Sequence, residues 1–264
     1  MSYALSAAKL QSYYRCPRAY YFRYERKVPG AAFYSSAALG TSLHQALAQI
    51  YQDWHYRDSI PTMEWVEYCW SQQTRDLTAT QVSEGRSILR RYYRTFIASE
   101  QAMRKPVAVE GRIQGTLRVE DVEFTLSGRY DRLDYLDDGL ELIDYKSAKE
   151  TEIPEPDEMD LQIGLYYLAL EQRYRRSLKC MSLLYLRTGE KVVFEASPKH
   201  RERVESLISD LALQLRHDRR WLPFPGGQCD RCAYARYCPA ARTEPEPLPE
   251  GSKPEAGLQL VLSL

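Results

Sequence analysis

Apolar residues recur every three or four positions through much of the first hundred residues of this 264-residue chain. In residues 40–56 this spacing predicts a helix, with Thr41 or Ser42 as its N-terminal cap. A second helix is predicted to start at Pro61, because proline is favoured in the first helical turn, and a third is predicted over about 82–103. The first part of the chain is therefore predicted to be helical.

The hydrophobic pattern changes after the third helix. Residues 107–147 are rich in β-branched and aromatic residues at nearly alternate positions, with breaks at 119–121 and 137–139, which predicts three strands in a meander. The pattern then predicts a helix over about 158–175, strands over 180–189 and 190–197, and a helix over about 198–217. We therefore expect an α/β fold in which helices flank a mixed central sheet.

The composition divides the chain into three parts. We interpret residues 1–242 as one domain with a helical insertion over about 57–105. Residues 243–257 are rich in proline, glutamate and glycine without apolar periodicity, which is typical of a disordered acidic linker. Residues 258–264 are largely apolar again, so they either dock on a partner or add a strand to the protein's own sheet.

Charge is distributed unevenly although the formal net charge is zero. The stretch from Thr243 onward carries a net charge of −3, which leaves +3 for the rest of the chain. Arginines alternate with aromatic residues in the stretch 86–96. This mixture suits either a phosphate backbone with stacked bases or a solvated helix face whose aromatic residues pack inward.

The cysteines are better explained as metal ligands and buried thiols than as disulfides. The chain has no run of about 18 apolar residues, and its N-terminus lacks the pattern of a secretory signal. We therefore expect no membrane association and a cytoplasmic location, where thiols stay reduced. Cys69 and Cys180 lie in apolar stretches and are predicted to be buried.

The third and second predicted strands of the meander carry the most informative charges. Asp144 and Lys146 alternate along one strand, so they share a face. If residues 138–139 form a two-residue loop, Asp131 lies opposite Lys146 on the same face, and any other even loop length keeps that facing. Two aspartates could bind magnesium or manganese for phosphodiester hydrolysis, while the lysine positions a water or offsets phosphate charge. The alternative is an exposed hairpin with ordinary surface charges.

The sequence "GRYDRLD" followed by "LELIDYKSA" resembles the core of the PD-(D/E)xK nuclease superfamily, in the branch of the RecB and AddB nuclease domains and the CRISPR-associated adaptation nucleases. The resemblance implies a restriction-endonuclease-like sheet, with the Tyr145 carbonyl as a further metal ligand. "LGTSLHQAL" resembles the GxxxH helix of that branch, which implies that His44 binds the metal. "LQIGLYYLAL" resembles its QxxxY helix, which implies that Gln162 and Tyr166 meet DNA or the active-site lysine. Relatives often carry an acid at the position of Glu110.

For Glu110 an ion pair with Arg118 across the sheet is an equally good interpretation.

Three cysteines lie close together near the end of the chain: Cys229, Cys232 and Cys238. The same branch often carries a 4Fe-4S cluster bound by three such cysteines and one near the N-terminus, and "YYRCPRAYYF" resembles that N-terminal element, with Cys16. The resemblance therefore implies an iron-sulfur clasp that joins the two ends of the domain. Four thiolates also suit zinc, but one C-x2-C pair with two distant single cysteines favours the cluster.

The resemblance implies a magnesium- or manganese-dependent DNA exonuclease that acts on single-stranded or end-exposed DNA. One alternative is a CRISPR adaptation nuclease that trims spacers, and another is a non-catalytic iron-sulfur DNA-binding or scaffold subunit. The C-terminal peptide resembles the QLxLxL motif by which bacterial proteins bind the replicative sliding clamp, through Gln259, Leu260, Leu262 and Leu264.

Overall fold

The structure, a computed structural model, describes residues 3–29, 34–147, 156–174, 177–195 and 197–249. Residues 243–249 contain neither helix nor strand. The rest of the predicted linker and the predicted C-terminal peptide at 258–264 lie outside the described residues.

Within the described residues, six strands form one mixed sheet. They are β1 Tyr3–Ser6, β2 Ala108–Val119, β3 Val122–Tyr135, β4 Leu140–Lys146, β5 Leu178–Tyr185 and β6 Glu190–Glu195. The long strand β3 pairs with antiparallel β2 along one edge, and its other edge pairs first with parallel β1 and then with antiparallel β4. Strand β5 runs parallel to β4 and antiparallel to β6. The parallel step needs a crossover, and a helix between β4 and β5 supplies it.

Helices cover both faces of the sheet. They are α1 Ala7–Arg15, α2 Pro17–Tyr20, α3 Tyr34–Gln52, α4 Met63–Ser71, α5 Ala79–Tyr92, α6 Pro156–Tyr174 and α7 Pro198–His217. One hydrophobic core lies between the sheet and helices α1, α6 and α7, and a second lies between the sheet and helices α3, α4 and α5. The predicted α/β fold with a mixed, helix-flanked sheet is confirmed.

Strand β4 contributes to both cores because side chains alternate across a strand. Leu140 and Leu142 pack into the core with α6, whereas Ile143 and Tyr145 pack into the core with α3 and α5. A strand buried on both faces reads as a nearly continuous apolar run. The first charged residue after that run is Asp144, and it shares the α6 face with Leu142.

The loop between β3 and β4 differs from the predicted two-residue turn. Tyr135 pairs with Leu140, so the loop has four residues, 136–139, and the register shifts by two. Gly139 fits there because an added Cβ would lie 2.7 Å from the carbonyl oxygen of Ser177. The loop length remains even, so the predicted facing is kept, but Asp131 lies opposite Asp144 rather than opposite Lys146.

Two helix boundaries and one strand also differ from the prediction. Helix α3 begins at Tyr34, so Thr41 and Ser42 lie inside it and do not cap it. The residues before them are mainly serine and alanine, and alanine has the highest intrinsic helix propensity. Helix α5 continues into a single π turn, Tyr93–Ile97, and ends there. Strand β1 was not predicted, because four residues are too few to show a period.

The helices between α3 and β2 pack tightly on one another. Gly85 lies against the ring of Trp70, where an added Cβ would come within 2.2 Å of the ring. Cys69 is fully buried beside Trp70, as predicted, whereas Cys180 is only partly buried. In the stretch 86–96, two arginines form ion pairs with the same carboxylate, Glu67, and the aromatic residues lie in or against the core. The observed geometry is thus the solvated helix face with inward-packed aromatic residues.

Candidate metal centre

Charged and polar side chains from five elements meet at one end of the sheet. They are Glu110 on β2, Asp131 on β3, Asp144 and Lys146 on β4, His44 on α3 and Gln162 on α6. Among the described residues, His44, Glu110 and Asp131 form a group whose ligating atoms all lie within 4.8 Å of one another. We use the name metal centre for these three residues and Asp144.

Asp131 is oriented by two partners. One carboxylate oxygen lies 2.9 Å from Nδ1 of His44, and the other accepts a hydrogen bond of 2.7 Å from the backbone N–H of Tyr145. Burial lowers the pKa of His44, but the hydrogen bond to Asp131 and the nearby carboxylates outweigh it, so the pKa of His44 is raised overall. The site thus concentrates negative charge around a nitrogen and several oxygens that can bind a metal.

Asp144 and Lys146 form an ion pair 2.5 Å long. The Asp144 oxygen of this pair is buried, and the Lys146 ammonium group is its charge partner. Burial raises the pKa of Asp144 and the charge of Asp131 raises it further, while Lys146 lowers it; the net pKa is raised. A divalent cation would offset the repulsion between the two aspartates.

Glu110 was named from the sequence only as one of two alternatives, and the structure favours its place in the metal centre. It lies between ladder pairs that put it opposite Asp131, and its φ of 50° is unusual for a residue other than glycine. Its ion pair is with Arg129 at 2.9 Å, whereas Arg118 pairs with Glu123. The two-residue turn after Val119 is the signal that could have found it, because that register sets position 110 opposite 131.

Gln162 reaches toward the metal centre from α6. Its Nε2 atom lies 3.5 Å from both Asp144 Oδ1 and the hydroxyl of Tyr166. The Tyr166 hydroxyl donates a hydrogen bond of 3.0 Å to the backbone carbonyl of Arg129. The Tyr166 side chain is buried, so in this arrangement Gln162 contacts the acid and Tyr166 holds the strand backbone.

A buried arginine supports the metal centre from the other face of the sheet. Arg132 is 8% exposed, and it donates hydrogen bonds of 3.0 Å to the hydroxyls of Tyr92 and Tyr145. Its guanidinium group lies 4.0 Å from the ring centre of Tyr51 and forms an ion pair of 3.0 Å with Asp134. Tyr51 and Tyr92 belong to α3 and α5, so the network connects both helices to β4, whose Tyr145 N–H orients Asp131.

Gly40 allows α3 to approach the end of β4. An added Cβ at Gly40 would lie 2.8 Å from Oγ of Ser147, the residue after Lys146. One helical turn later, His44 then reaches Asp131, and its ring meets the Tyr145 ring edge-on at 5.8 Å between centres. The close approach therefore explains the glycine of the GxxxH sequence in physical terms.

Four cysteines from the two ends of the domain lie near one another. Cys16 lies between α1 and α2, and the others lie in the segment after α7. Burial raises the pKa of Cys232, and the charges of Cys16, Cys238 and Cys229 raise it further. The backbone N–H of Phe224 lies 3.5 Å from the Cys16 sulfur. We use the name cysteine group for these four residues.

Zinc and a 4Fe-4S cluster require different spacings of four thiolates. A single tetrahedral zinc ion with bonds of about 2.3 Å would place its sulfur ligands about 3.8 Å apart. In the part of the chain that the structure describes, no three of these cysteines have sulfurs within 4.8 Å of one another. In a 4Fe-4S cluster each thiolate binds a different iron, so its four sulfurs lie farther apart than those around one zinc ion.

Aromatic residues pack the two ends of the domain together around the cysteine group. Trp221 stacks on Tyr20 and Tyr21, with ring centres 5.5 Å and 5.7 Å apart, and meets Tyr13 edge-on. A third hydrophobic core joins Tyr21 and Phe22 to the C-terminal segment. These contacts join the two segments beside the cysteine group.

The protein is a mixed α/β protein that carries acids and a lysine on adjoining strands of one sheet. The family model of the PD-(D/E)XK nuclease superfamily matches residues 4–239, and the chain belongs to that superfamily. Similar solved structures include SSO0001, at 14% identity and a TM-score of 0.46 over 92% of this chain and 88% of the other. Another is a "putative exonuclease" from Eubacterium rectale, at 9% identity and a TM-score of 0.46 over 86% and 92%.

A search of curated proteins gave no match. None of the helices in the described ranges combines the length and the apolar character that crossing a membrane requires.

Proposed function

We propose that the protein is a metal-dependent DNA exonuclease that acts on single-stranded or end-exposed DNA. The observation that carries the proposal is the group of His44, Glu110 and Asp131 ligating atoms within 4.8 Å, in a chain of a nuclease superfamily. The ion pair of Asp144 and Lys146 adds a further acid and a cation on the neighbouring strand.

The donor set suits magnesium or manganese. Carboxylate oxygens are the ligands that these hard cations prefer, and one imidazole is compatible with manganese. When bound, the metal lowers the pKa of a coordinated water so that hydroxide forms near neutral pH. Asp131, Asp144, Glu110 and His44 would hold it, with the Tyr145 carbonyl as a further ligand.

The chain's own residues divide the remaining work. The Tyr145 N–H and His44 fix the rotamer of Asp131, and Gln162 steadies Asp144. Lys146 carries a positive charge that can orient the attacking water or offset charge on the phosphate. A non-catalytic subunit would not require this arrangement, so we favour the enzyme; the RecB- and AddB-like branch and a CRISPR adaptation role remain narrower proposals.

The cysteine group is proposed to hold a 4Fe-4S cluster that clasps the two ends of the domain. Four converging cysteines, present as one C-x2-C pair and two distant single residues, support it, and zinc is the competing metal. The cluster's role would be structural, because aromatic residues from both chain ends pack beside the cysteines.

The C-terminal peptide is proposed to bind the replicative sliding clamp. Gln259, Leu260, Leu262 and Leu264 lie outside the described residues, so the proposal depends on the sequence alone. Deleting residues 258–264 should abolish retention of the protein on immobilised clamp without changing its nuclease rate on free oligonucleotides. Equal retention of the shortened and full-length proteins would exclude the motif.

The nuclease activity is tested with single-stranded oligonucleotides blocked at the 5′ or the 3′ end, in magnesium, manganese or chelator. Asp144→Asn and Lys146→Met should each lower the rate by about 10³-fold, because each removes a group that acts on the metal or the phosphate. The matched control is Asp138→Asn with Lys179→Met, which removes an exposed aspartate-lysine pair at the loop before β4. Wild-type rates in the first two variants would refute the site. Equal cleavage of both blocked strands would refute the exonuclease assignment.

A further inference from the structure

A polar cavity extends from the metal centre along the outward face of α3. Its volume is about 1140 Å³, and its walls include His44, Glu110 and Asp131 at one end. Five glutamines line it further along: Gln45, Gln49, Gln52, Gln72 and Gln73. We use the name glutamine groove for the part of the cavity that these five residues line. A substrate whose phosphate reaches the metal centre would have neighbouring nucleotides in this groove.

The groove does not have the charge of a phosphate-binding channel. Its two arginines, Arg129 and Arg187, form ion pairs with Glu110 and Glu84. Apart from the metal-centre residues, the charged groups of the cavity lining are these two paired arginines and the carboxylate of Asp53. Proteins that track a nucleic-acid backbone do so with cations that displace counterions. The lining therefore suits another part of the nucleotide.

Glutamine amides suit the edges of nucleobases. Each amide offers two donors and one acceptor oxygen, and glutamine can pair with a base through both. Gln45, Gln49 and Gln52 recur on one face of α3 over about 10 Å of helix axis, room for about three stacked nucleotides. Gln73 donates a hydrogen bond of 3.1 Å to Gln49, so these two lining amides already join α3 to the segment just after α4.

We propose that the glutamine groove is a nucleobase subsite that binds about three unpaired nucleotides next to the scissile phosphate. The proposal rests on the proposed nuclease function and names the substrate class as single-stranded DNA. Unpaired bases are required because the glutamines lie in a concavity. A helix that reads a duplex instead projects into the major groove.

The experiment compares Gln49→Ala/Gln73→Ala with wild type on two oligonucleotides of the same length. One is an ordinary single strand, and the other has runs of three abasic sites at both ends. On the ordinary strand the variant should raise KM, and the dissociation constant measured in chelator, about tenfold, with kcat within twofold. On the abasic strand it should change neither by more than about twofold. The slope of affinity against salt should stay the same, because no phosphate contact is lost.

The matched control is Gln214→Ala, an exposed glutamine on α7 at the opposite face of the sheet, which should behave as wild type on both strands. Equal losses on ordinary and abasic strands would mean that the glutamines only support the fold, and no loss on either would remove the subsite. If wild type cleaves no strand in magnesium or manganese, the nuclease proposal fails, while the binding measurements in chelator still decide the subsite.

Discussion

The metal centre and the cysteine group both gather ligands from distant parts of the sequence, but different forces hold them. In the metal centre the ligands contact one another and the backbone of central strands, as in the hydrogen bonds of Asp131 to His44 and to Tyr145. In the cysteine group the surrounding support is stacked aromatic rings, and Cys16 has a backbone donor at 3.5 Å. We infer that the first site is organised by the sheet, whereas the second depends on keeping two chain ends together.

The largest expected effect is on the cysteine group. Cys16→Ser should lose iron and lower the free energy of unfolding by roughly 4 kcal/mol, the linkage expected for a group bound a thousandfold above its dissociation constant. Iron content, visible absorbance and denaturant unfolding of anaerobically purified protein measure this. Cys69→Ala is the control, because Cys69 is buried away from the group and its loss leaves only a small cavity.

Full iron content in Cys16→Ser would show that Cys16 is not an iron ligand. The two ends of the domain would then not be joined by one metal site, and the comparison with the metal centre would fail. Wild-type protein that contains zinc and no iron would exclude the cluster while keeping the site.

A smaller effect is expected from replacing Arg132, on the opposite face of the sheet from the metal centre. Arg132→Met leaves the partly buried Asp134 without its ion-pair partner, so the free energy of unfolding should fall by about 3 kcal/mol. It also removes the donors that hold the Tyr145 hydroxyl, so manganese affinity should fall about tenfold even in protein that remains folded. Manganese titration at a temperature where both proteins are folded separates the two effects.

Arg118→Met is the matched control on the neighbouring strand, because Arg118 is exposed and its ion pair with Glu123 should contribute little. Tyr92→Phe should fall between the two, since it removes one hydroxyl and leaves the guanidinium group in place. An Arg132→Met protein with unchanged manganese affinity would show that the network supports the fold and not the site.

The alternation of side chains explains how much of the metal centre could be predicted. Asp144 and Lys146 share a face at any register, and Asp131 joins them for any even loop length. The predicted facing of these three residues is therefore correct although the loop is two residues longer than predicted. Gly40 and His44 could be assigned to the site only through the resemblance to a family, because helical periodicity alone does not predict which strand end the helix contacts.

Arg132 marks what local patterns could not predict. The local sequence pattern predicts that an arginine in a strand is exposed. Arg132 is buried because it contacts Tyr51 and Tyr92, which lie 81 and 40 positions away in the sequence. Cys16 has the same difficulty, since no period connects it to Cys229 some two hundred residues later. Long-range partners of this kind follow from the assembled fold and not from any window of sequence.

The smallest expected effect tests the aromatic support of the cysteine group without touching a ligand. Asp218 accepts hydrogen bonds from the backbone N–H groups of Arg220 and Trp221 and from the hydroxyl of Tyr13, at 2.8 to 2.9 Å. Burial raises the pKa of Asp218, but these bonds and the charge of Arg220 lower it more, so the net pKa lies below its ordinary value. A lowered folded-state pKa stabilises the fold above the unfolded pKa of about 3.9, and that contribution is lost as the pH falls through the folded value.

Asp218→Asn keeps the shape of the side chain and removes its charge, so the stability difference from wild type should be largest near neutral pH and should shrink as the pH falls below the unfolded pKa of about 3.9. Because the side chain is partly exposed, solvent screening keeps the expected difference to a few tenths of a kcal/mol. Tyr13→Phe, which removes one donor, should produce part of the same pH dependence. A difference that stays constant from neutral to acid pH would mean that Asp218 supports the turn before the cysteines by its shape alone, and the carboxylate would then contribute nothing to joining α1 and the C-terminal segment.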